Sequence, residues 1–429
     1  MQHSIETSKL FSREVDACRI CQSKDLHRYL DLGETPLANS YLTEERLGDS
    51  EFKESLCIQL CRSCGLSQLT KVVQPDLMFR HYLYVSSTTS TIRDHFAQLA
   101  SSAVKAAGAK AGDLALDIAS NDGCLLKAFE AEGLSALGVD PAENLAAEAN
   151  AAGLKTECAY WSESVAATLS ENHGKAKIVT ACNVFAHVDD LQDFMKAVDT
   201  ILLRDGIFVI ECPYVVDFVG KGEFDTAYHE HLSYIGVTPL ETLMKLHGFS
   251  IFDIEYFENI HGGTIRVYCS RASLRERSPR AAEFFEREES FGIRDSTPYD
   301  HFAKSVNENR VALNRLIGEL AAEGKVVWAY GASAKGNTLM NFFGIGSDKV
   351  PTAIDDNPKK CGLYTPGARM KIVGIEELKK FDVDYLLLLA WNFEAEIRRR
   401  CKAAGFKGSF IVPVPKARVV PGEDSWPSR

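Results

Sequence analysis

"DLALDIASNDGCLLKAFEAEG", residues 113–133, is the stretch on which the fold turns. A short apolar run ends at Asn121-Asp122-Gly123; Leu125, Leu126 and Phe129 then share one helical face, and Gly133 offers a stop. A second strand, "SALGVD" (135–140), ends in Asp140, about 20 residues beyond the first loop. An acidic residue there suits the two hydroxyls of an adenosine ribose. "AKIVTACNV" (176–184) and "GIFVIECPY" (206–214) read as further strands, with the helix "DLQDFMKAVDTILL" (190–203) between them. Repeated βα units imply an α/β chain with a doubly wound parallel sheet and a ligand at the carboxyl ends of its strands. A dinucleotide would want G-x-G-x-x-G, whereas this loop holds one glycine and an added carboxylate, Asp122. That carboxylate would repel a pyrophosphate. It suits the sulfonium and ammonium groups of S-adenosylmethionine.

The chain around this block has 429 residues, enough for roughly three domains. Its 45% hydrophobic and 25% charged content is ordinary for globular proteins. A net charge of −11 argues against a nucleic-acid partner. No apolar run approaches the roughly 20 residues that span a bilayer, so no membrane is expected. The N-terminal stretch lacks the apolar region of a secretory signal, and a cytoplasmic location is the expectation. In that compartment twelve cysteines read as metal ligands and core residues rather than disulfides. Cys18-x2-Cys21 and Cys61-x2-Cys64 form two matched knuckles, with Cys57 a poorer substitute. Four thiolates complete a closed tetrahedral site, so a Zn2+ ion there should be structural and away from the chemistry. It would supply the folding energy that the polar segment around "LGETPLANSYL" cannot draw from a core.

The C-terminal third opens with two charged helical stretches, 271–290 and 300–324, whose charges read as solvated faces. "KVVWAYGASAKGNTLMNFF" (325–343) then gives a strand, a glycine loop and a helix, the start of a second Rossmann-like unit. Gly331, Ser333 and Lys335 of that loop are candidates for holding the phosphates of a nucleotide-linked substrate. A purely structural junction is the plain alternative. Asp355 and Asp356 end the next strand as a ribose-binding acid would, but the full G-x-G-x-x-G of an NAD site is missing.

"AYHEHLSYI" (227–235) gathers Tyr228, His229, Glu230 and His231. Extended backbone would put 229 and 231 on one side and 228 and 230 on the other, so a loop or turn is expected. Thr238, Pro239 and Glu241 read as a capping box opening the next helix. His229-x-His231 is also a metal-ligand spacing, though no third ligand is evident nearby.

Taken together, "DIASNDGCLL", "GVDPAEN", "NVFAHVDDL", "YHEH", "YGASAKGNT" and the paired C-x2-C knuckles resemble the nucleotide-sugar C-methyltransferases of deoxysugar biosynthesis. These are three-domain enzymes that methylate C-3 of a 4-keto hexose, and the resemblance runs nearly end to end. It implies a zinc-binding domain over 1–75, a class I methyltransferase domain over 76–270 and a Rossmann-like, nucleotide-sugar-binding domain over 271–429. By resemblance His231 is the base, Glu230 orients or charges it, and Tyr228 holds the sugar's 4-oxygen. His187 is a second donor or an alternative base. The cofactor residues implied are Asp117, Ser120, Asn121, Asp122, Gly123, Asp140, Asn183 and Ser87, and Tyr84 is placed beside the sugar. Ala119 stands where many class I methyltransferases have glycine. The competing readings are an NAD-dependent nucleotide-sugar oxidoreductase and a non-catalytic zinc-bearing binding protein. The sugar, its nucleoside, the stereochemistry and the oligomeric state are not legible.

Overall fold

The structure, a computed structural model, describes residues 11–79, 90–260 and 262–422. Tyr84 and Ser87 therefore lie outside the described residues. Three sheets carry the architecture, with a two-stranded ribbon beside the first.

The central sheet has seven strands in the order Phe249–Phe257, Thr264–Arg271, Leu202–Pro213, Ala176–Cys182, Leu114–Ile118, Ser135–Val139, Thr156–Glu157. Leu114–Ile118 sits inside it and is buried on both faces, which is why it reads as a continuous apolar run. The sheet is doubly wound, but it is mixed rather than wholly parallel. Thr264–Arg271 runs antiparallel to both neighbours, Leu202–Pro213 and Phe249–Phe257. The helix Leu191–Ile201 starts at Asp190, whose side chain accepts from the amides of Gln192 and Asp193.

The C-terminal sheet is parallel over Lys371–Val373, Thr352–Ile354, Val327–Tyr330, Tyr385–Leu388 and Ser409–Val412, with Arg418–Val420 added antiparallel. Strand order reverses at Val327–Tyr330, so the glycine loop 331–333 lies at the switch point.

The N-terminal unit is an antiparallel sheet in the order Ser233–Tyr234, Ser67–Leu69, Lys53–Cys61, Leu26–Pro36. Its outer strand comes from the chain immediately after His231. This is the feature that brings the cysteine-bearing unit to the candidate site.

The expected capping box does not form. The helix starts at Val237 with Gly236 as its cap, and its first amides are satisfied from outside. Glu288, fully buried on the helix Pro279–Phe291, accepts from Val237 N at 2.5 Å and Thr238 N at 2.7 Å. Glu241 instead accepts from Ile251 N and pairs with Arg277. One charge expected on a solvated face is therefore a buried cap, because a distant carboxylate satisfies the amides better than the local one.

Behind the sheet's carboxyl ends lies a buried ionic network. The Arg266 guanidinium donates to Glu211 at 2.8 Å and Glu255 at 3.1 Å, and Glu211 also meets His95 Nε2 at 2.7 Å. Arg266 and Glu211 are both fully buried. Glu211→Ala leaves that guanidinium without its main anion and is expected to cost roughly 3–5 kcal/mol. The loss is read as a lower urea midpoint for the central domain, with Glu211→Gln retaining part of the stability through its remaining acceptor.

Candidate active site

The first loop of the central sheet is built by left-handed backbone. Ala119 (φ 57°), Asn121 (φ 53°) and Gly123 (φ 77°) turn the chain back on itself. Only glycine takes such angles without cost, so Ala119 and Asn121 carry backbone strain at the mouth of the sheet. Asp140 ties this loop to the next. Its carboxylate accepts from Asn121 N and from Ala142 N, both at 2.8 Å. Each oxygen retains a second lone pair for a ligand hydroxyl. Gly138, which the sequence reading did not single out, lets the loop pack, since a Cβ there would lie 2.3 Å from Ser120 Oγ.

Asp117 is buried, accepts from Thr180 Oγ1 at 2.6 Å, and is pushed up to about 7 by burial. Asn183 (φ 54°) gives its amide to Glu211 O at 2.7 Å. Ser120 Oγ and Asn183 Oδ1 are buried with no partner among the described residues. Orphaned polar atoms beside carboxylates, with no phosphate cradle, fit a cofactor bearing hydroxyls and positive charge.

In the 227–231 segment the expected turn is present, closed by His231 N donating to Tyr228 O at 2.9 Å. The four residues diverge. His229 is buried and its Nε2–H donates to Glu54 O at 3.1 Å. Burial holds its imidazole down at about 4. Glu230, also buried, accepts from Asn39 Nδ2 at 2.7 Å. His231 turns back, and its Nδ1–H donates to Thr226 O at 2.7 Å. A carbonyl can only accept, so this bond leaves the lone pair on Nε2. The Tyr228 ring lies tilted by 36° against that of His231 with centroids 4.0 Å apart, and His187 meets the same ring edge-on at 4.9 Å. Burial pushes His187 down to about 4, and its Nδ1 is buried with no partner among the described residues.

His229 and His231 thus face different carbonyls and do not form a metal site. The one group of potential ion ligands among the described residues is Cys18, Cys21, Cys61 and Cys64, whose sulfurs all lie within 4.8 Å of one another. The nearest pairs, Cys18–Cys64 and Cys21–Cys61, are 3.5 and 3.6 Å apart. Four sulfurs each about 2.3 Å from one tetrahedral ion would be separated by ~3.8 Å, so the thiols fit Zn2+. Cys57 stands outside the group.

The third edge comes from the C-terminal unit. Ser333 Oγ accepts from Gly336 N and caps the helix Ala334–Phe343. At Gly331 (φ 98°) a Cβ would lie 2.9 Å from that of Ala390. Lys335 Nζ stands over the Trp391 ring at 5.2 Å, and Trp391 Nε1 donates to Asp225 Oδ2 at 2.7 Å. Burial raises Asp225 and pushes Glu223 to about 7, while the Lys335 charge opposes both shifts. Asp356 is held by Tyr330 OH and Arg400, and Asp355 by Lys360.

Asn39, Thr226, Trp391 and the Glu54 carbonyl were not read from the sequence. Asn39 and Glu230 are 191 positions apart, and no local pattern marks such a pair.

The sequence matches the model "C-methyltransferase C-terminal domain" over residues 259–415, "Methyltransferase domain" over 92–254 and "Putative zinc binding domain" over 18–79. It is 35% identical to "C-methyltransferase NovU" from Streptomyces niveus over 415 residues, 96% of this chain and 99% of that protein. Among solved structures it is similar to magnesium protoporphyrin IX methyltransferase (ChlM) from Synechocystis PCC 6803 with bound SAM. The two are 14% identical over 42% of this chain and 79% of that one, with a TM-score of 0.32. PH0226 protein from Pyrococcus horikoshii OT3 is 15% identical over 44% and 94%, with a TM-score of 0.34.

His229 supplies a test of the packing between the loop and the N-terminal unit. Its folded pKa of about 4 lies below the ordinary 6.5, so between those values the folded state binds fewer protons than the unfolded chain. Stability is full above about 6.5 and falls as pH drops toward 4, by on the order of 2–3 kcal/mol from this residue. Urea unfolding at pH 7.5, 5.5 and 4.5 should show a flatter decline for His229→Gln than for the unmodified protein.

Proposed function

The chain belongs to the C-methyltransferase family and uses S-adenosylmethionine; from that premise we propose that it deprotonates C-3 of a nucleotide-linked 4-keto-deoxy sugar and methylates that carbon. The observation that carries the reading is the Thr226 carbonyl on Nδ1 of His231, which leaves Nε2 as the proton acceptor beside a phenol and a second imidazole.

When bound, S-adenosylmethionine supplies an electrophilic methyl carbon on a sulfonium. Asp117, Ser120, Asn121, Asp122, Gly123, Asp140 and Asn183 would hold it at the strand ends. A carbon accepts that methyl only after losing a proton, and the hydrogen beside a ketone is the acidic one. His231 Nε2 takes it, the C–H pair moves into the enolate, and charge collects on the sugar's 4-oxygen. Tyr228 donates to that oxygen, and one such donor is typically worth about 3 kcal/mol of barrier. His187, pushed down to about 4 by burial, is a weaker base than an ordinary imidazole and takes the place of a second donor or an alternative base. Glu230, fixed by Asn39, contributes a negative field behind the imidazolium that His231 becomes. The nucleotide diphosphate is assigned to the switch point at Gly331, Ser333 and Lys335. The need for free thiolates at the zinc site favours a reducing, cytoplasmic setting.

Purified protein carrying S-adenosylhomocysteine should exchange the C-3 hydrogen of a thymidine- or guanosine-diphospho-4-keto-deoxy sugar for solvent deuterium. His231→Ala should lose that exchange and methyl transfer by roughly 10²–10⁴-fold while binding S-adenosylhomocysteine normally in calorimetry. Undiminished turnover in the variant would remove His231 from the role.

A further inference from the structure

Arg19 lies inside the first cysteine knuckle, between Cys18 and Cys21, and its guanidinium bonds two carbonyls and a carboxylate outside it. It is 6% exposed and reaches both histidine-bearing loops. Nη1 donates to Leu232 O at 3.1 Å, on the residue after His231, and to Leu69 O at 3.4 Å. Nε donates to Asp189 Oδ1 at 3.4 Å, two residues after His187. Leu69 N also donates to Leu232 O at 2.9 Å, so that carbonyl is held twice. The backbone of Arg19 is fixed in turn. Its amide donates to Gln68 Oε1 at 3.0 Å, and Gln192 Nε2 donates to Arg19 O and Ile20 O at 3.2 and 3.1 Å.

From this geometry we infer that Arg19 is a positioning residue for proton transfer: one rigid guanidinium sets the spacing of His187 and His231. A guanidinium suits the task because its donors have fixed directions, whereas an ammonium on a flexible stem cannot hold two loops at a defined angle. The two rings meet edge-on with centroids 4.9 Å apart, and the His187 imidazole also bonds the backbone of Glu230, so Arg19 acts together with that contact. The zinc site contributes by making the knuckle stiff; it has no open position through which to take part otherwise. This inference rests on His231 being the base.

A merely structural Arg19 would affect folding, zinc content and cofactor binding together. A positioning Arg19 affects turnover alone. Arg19→Met should retain one zinc per chain, bind S-adenosylhomocysteine as before and keep both KM values within about threefold, while kcat and the rate of C-3 deuterium exchange fall together by roughly 10²-fold, the cost of a misplacement near 1 Å. Arg19→Lys, which reaches one partner but cannot span both, should lose roughly tenfold. Should Arg19→Met fail to fold, Asp189→Asn weakens the other end of the contact at a half-exposed position. It should lower kcat and exchange without touching zinc or cofactor affinity, and combined with Arg19→Lys its effect should be less than multiplicative. Unchanged kcat in folded Arg19→Lys and Asp189→Asn proteins overturns the inference, as does loss of zinc or cofactor binding in step with activity. Full exchange in His231→Ala would instead sink the assignment of the base, whatever the Arg19 variants do.

Discussion

The antiparallel pairing of Ser233–Tyr234 with Ser67–Leu69 is the contact on which the site depends. Two residues of strand have almost no stability of their own, and they persist only when added to an edge that is already fixed. That edge lies beside the cysteine cluster. Cys61 and Cys64 sit at the turn leading into Ser67–Leu69, where Leu56, Ile58, Leu60, Leu66 and Leu69 are buried in the main core, so a bound metal would stiffen an edge that packing already supports. The loop carrying Tyr228 and His231 inherits its shape from that edge. His229 reaches Glu54 O and Glu230 accepts from Asn39, so these two consecutive residues are tied to the N-terminal unit, while His231 bonds Thr226 O and lies against the Tyr228 ring. The cysteine cluster thus lies one strand pairing away from the loop that carries the candidate site, as a structural zinc site would.

The same division of labour recurs across the cleft. Asp140 joins two loops through their amides, and Asn183 is held by the Glu211 carbonyl, on a strand locked by Arg266. Groups at these strand ends stand on backbone that other residues fix, and Asp140 does so while keeping lone pairs of its own for a ligand. Keeping the second layer buried and charge-paired makes the first layer stiff, which is the condition for proton transfer over a short distance.

Much of this was legible before any coordinates. The 113–133 stretch gave its strand, loop and helix because both periods are local, and the C-x2-C knuckles announced themselves by spacing. The loop at 227–231 followed from the alternation argument. What escaped is long-range. The antiparallel Thr264–Arg271 strand looks like any buried strand, and direction leaves no mark on composition. Glu288 resembles the other acids of a charged helix until Val237 and Thr238 are packed beneath it. Asn39 sits in "LGETPLANSYL", a segment read only for its polarity, and its partner lies on another unit. Arg19 was hidden by its neighbours, since a residue inside a knuckle draws no notice beside the cysteines.

Synthesis of the chain gives the shared strand a further consequence. The four thiols of the cluster emerge early, but Ser233 and Tyr234 leave the ribosome only after five of the central sheet's seven strands. At roughly 5–20 residues per second the wait is on the order of 10–30 s. Through that interval Ser67–Leu69 is an open edge, and its length of three residues limits what can pair with it wrongly. A chain cut after residue 79 would leave that edge bare permanently, exposing a pairing surface that the full chain covers.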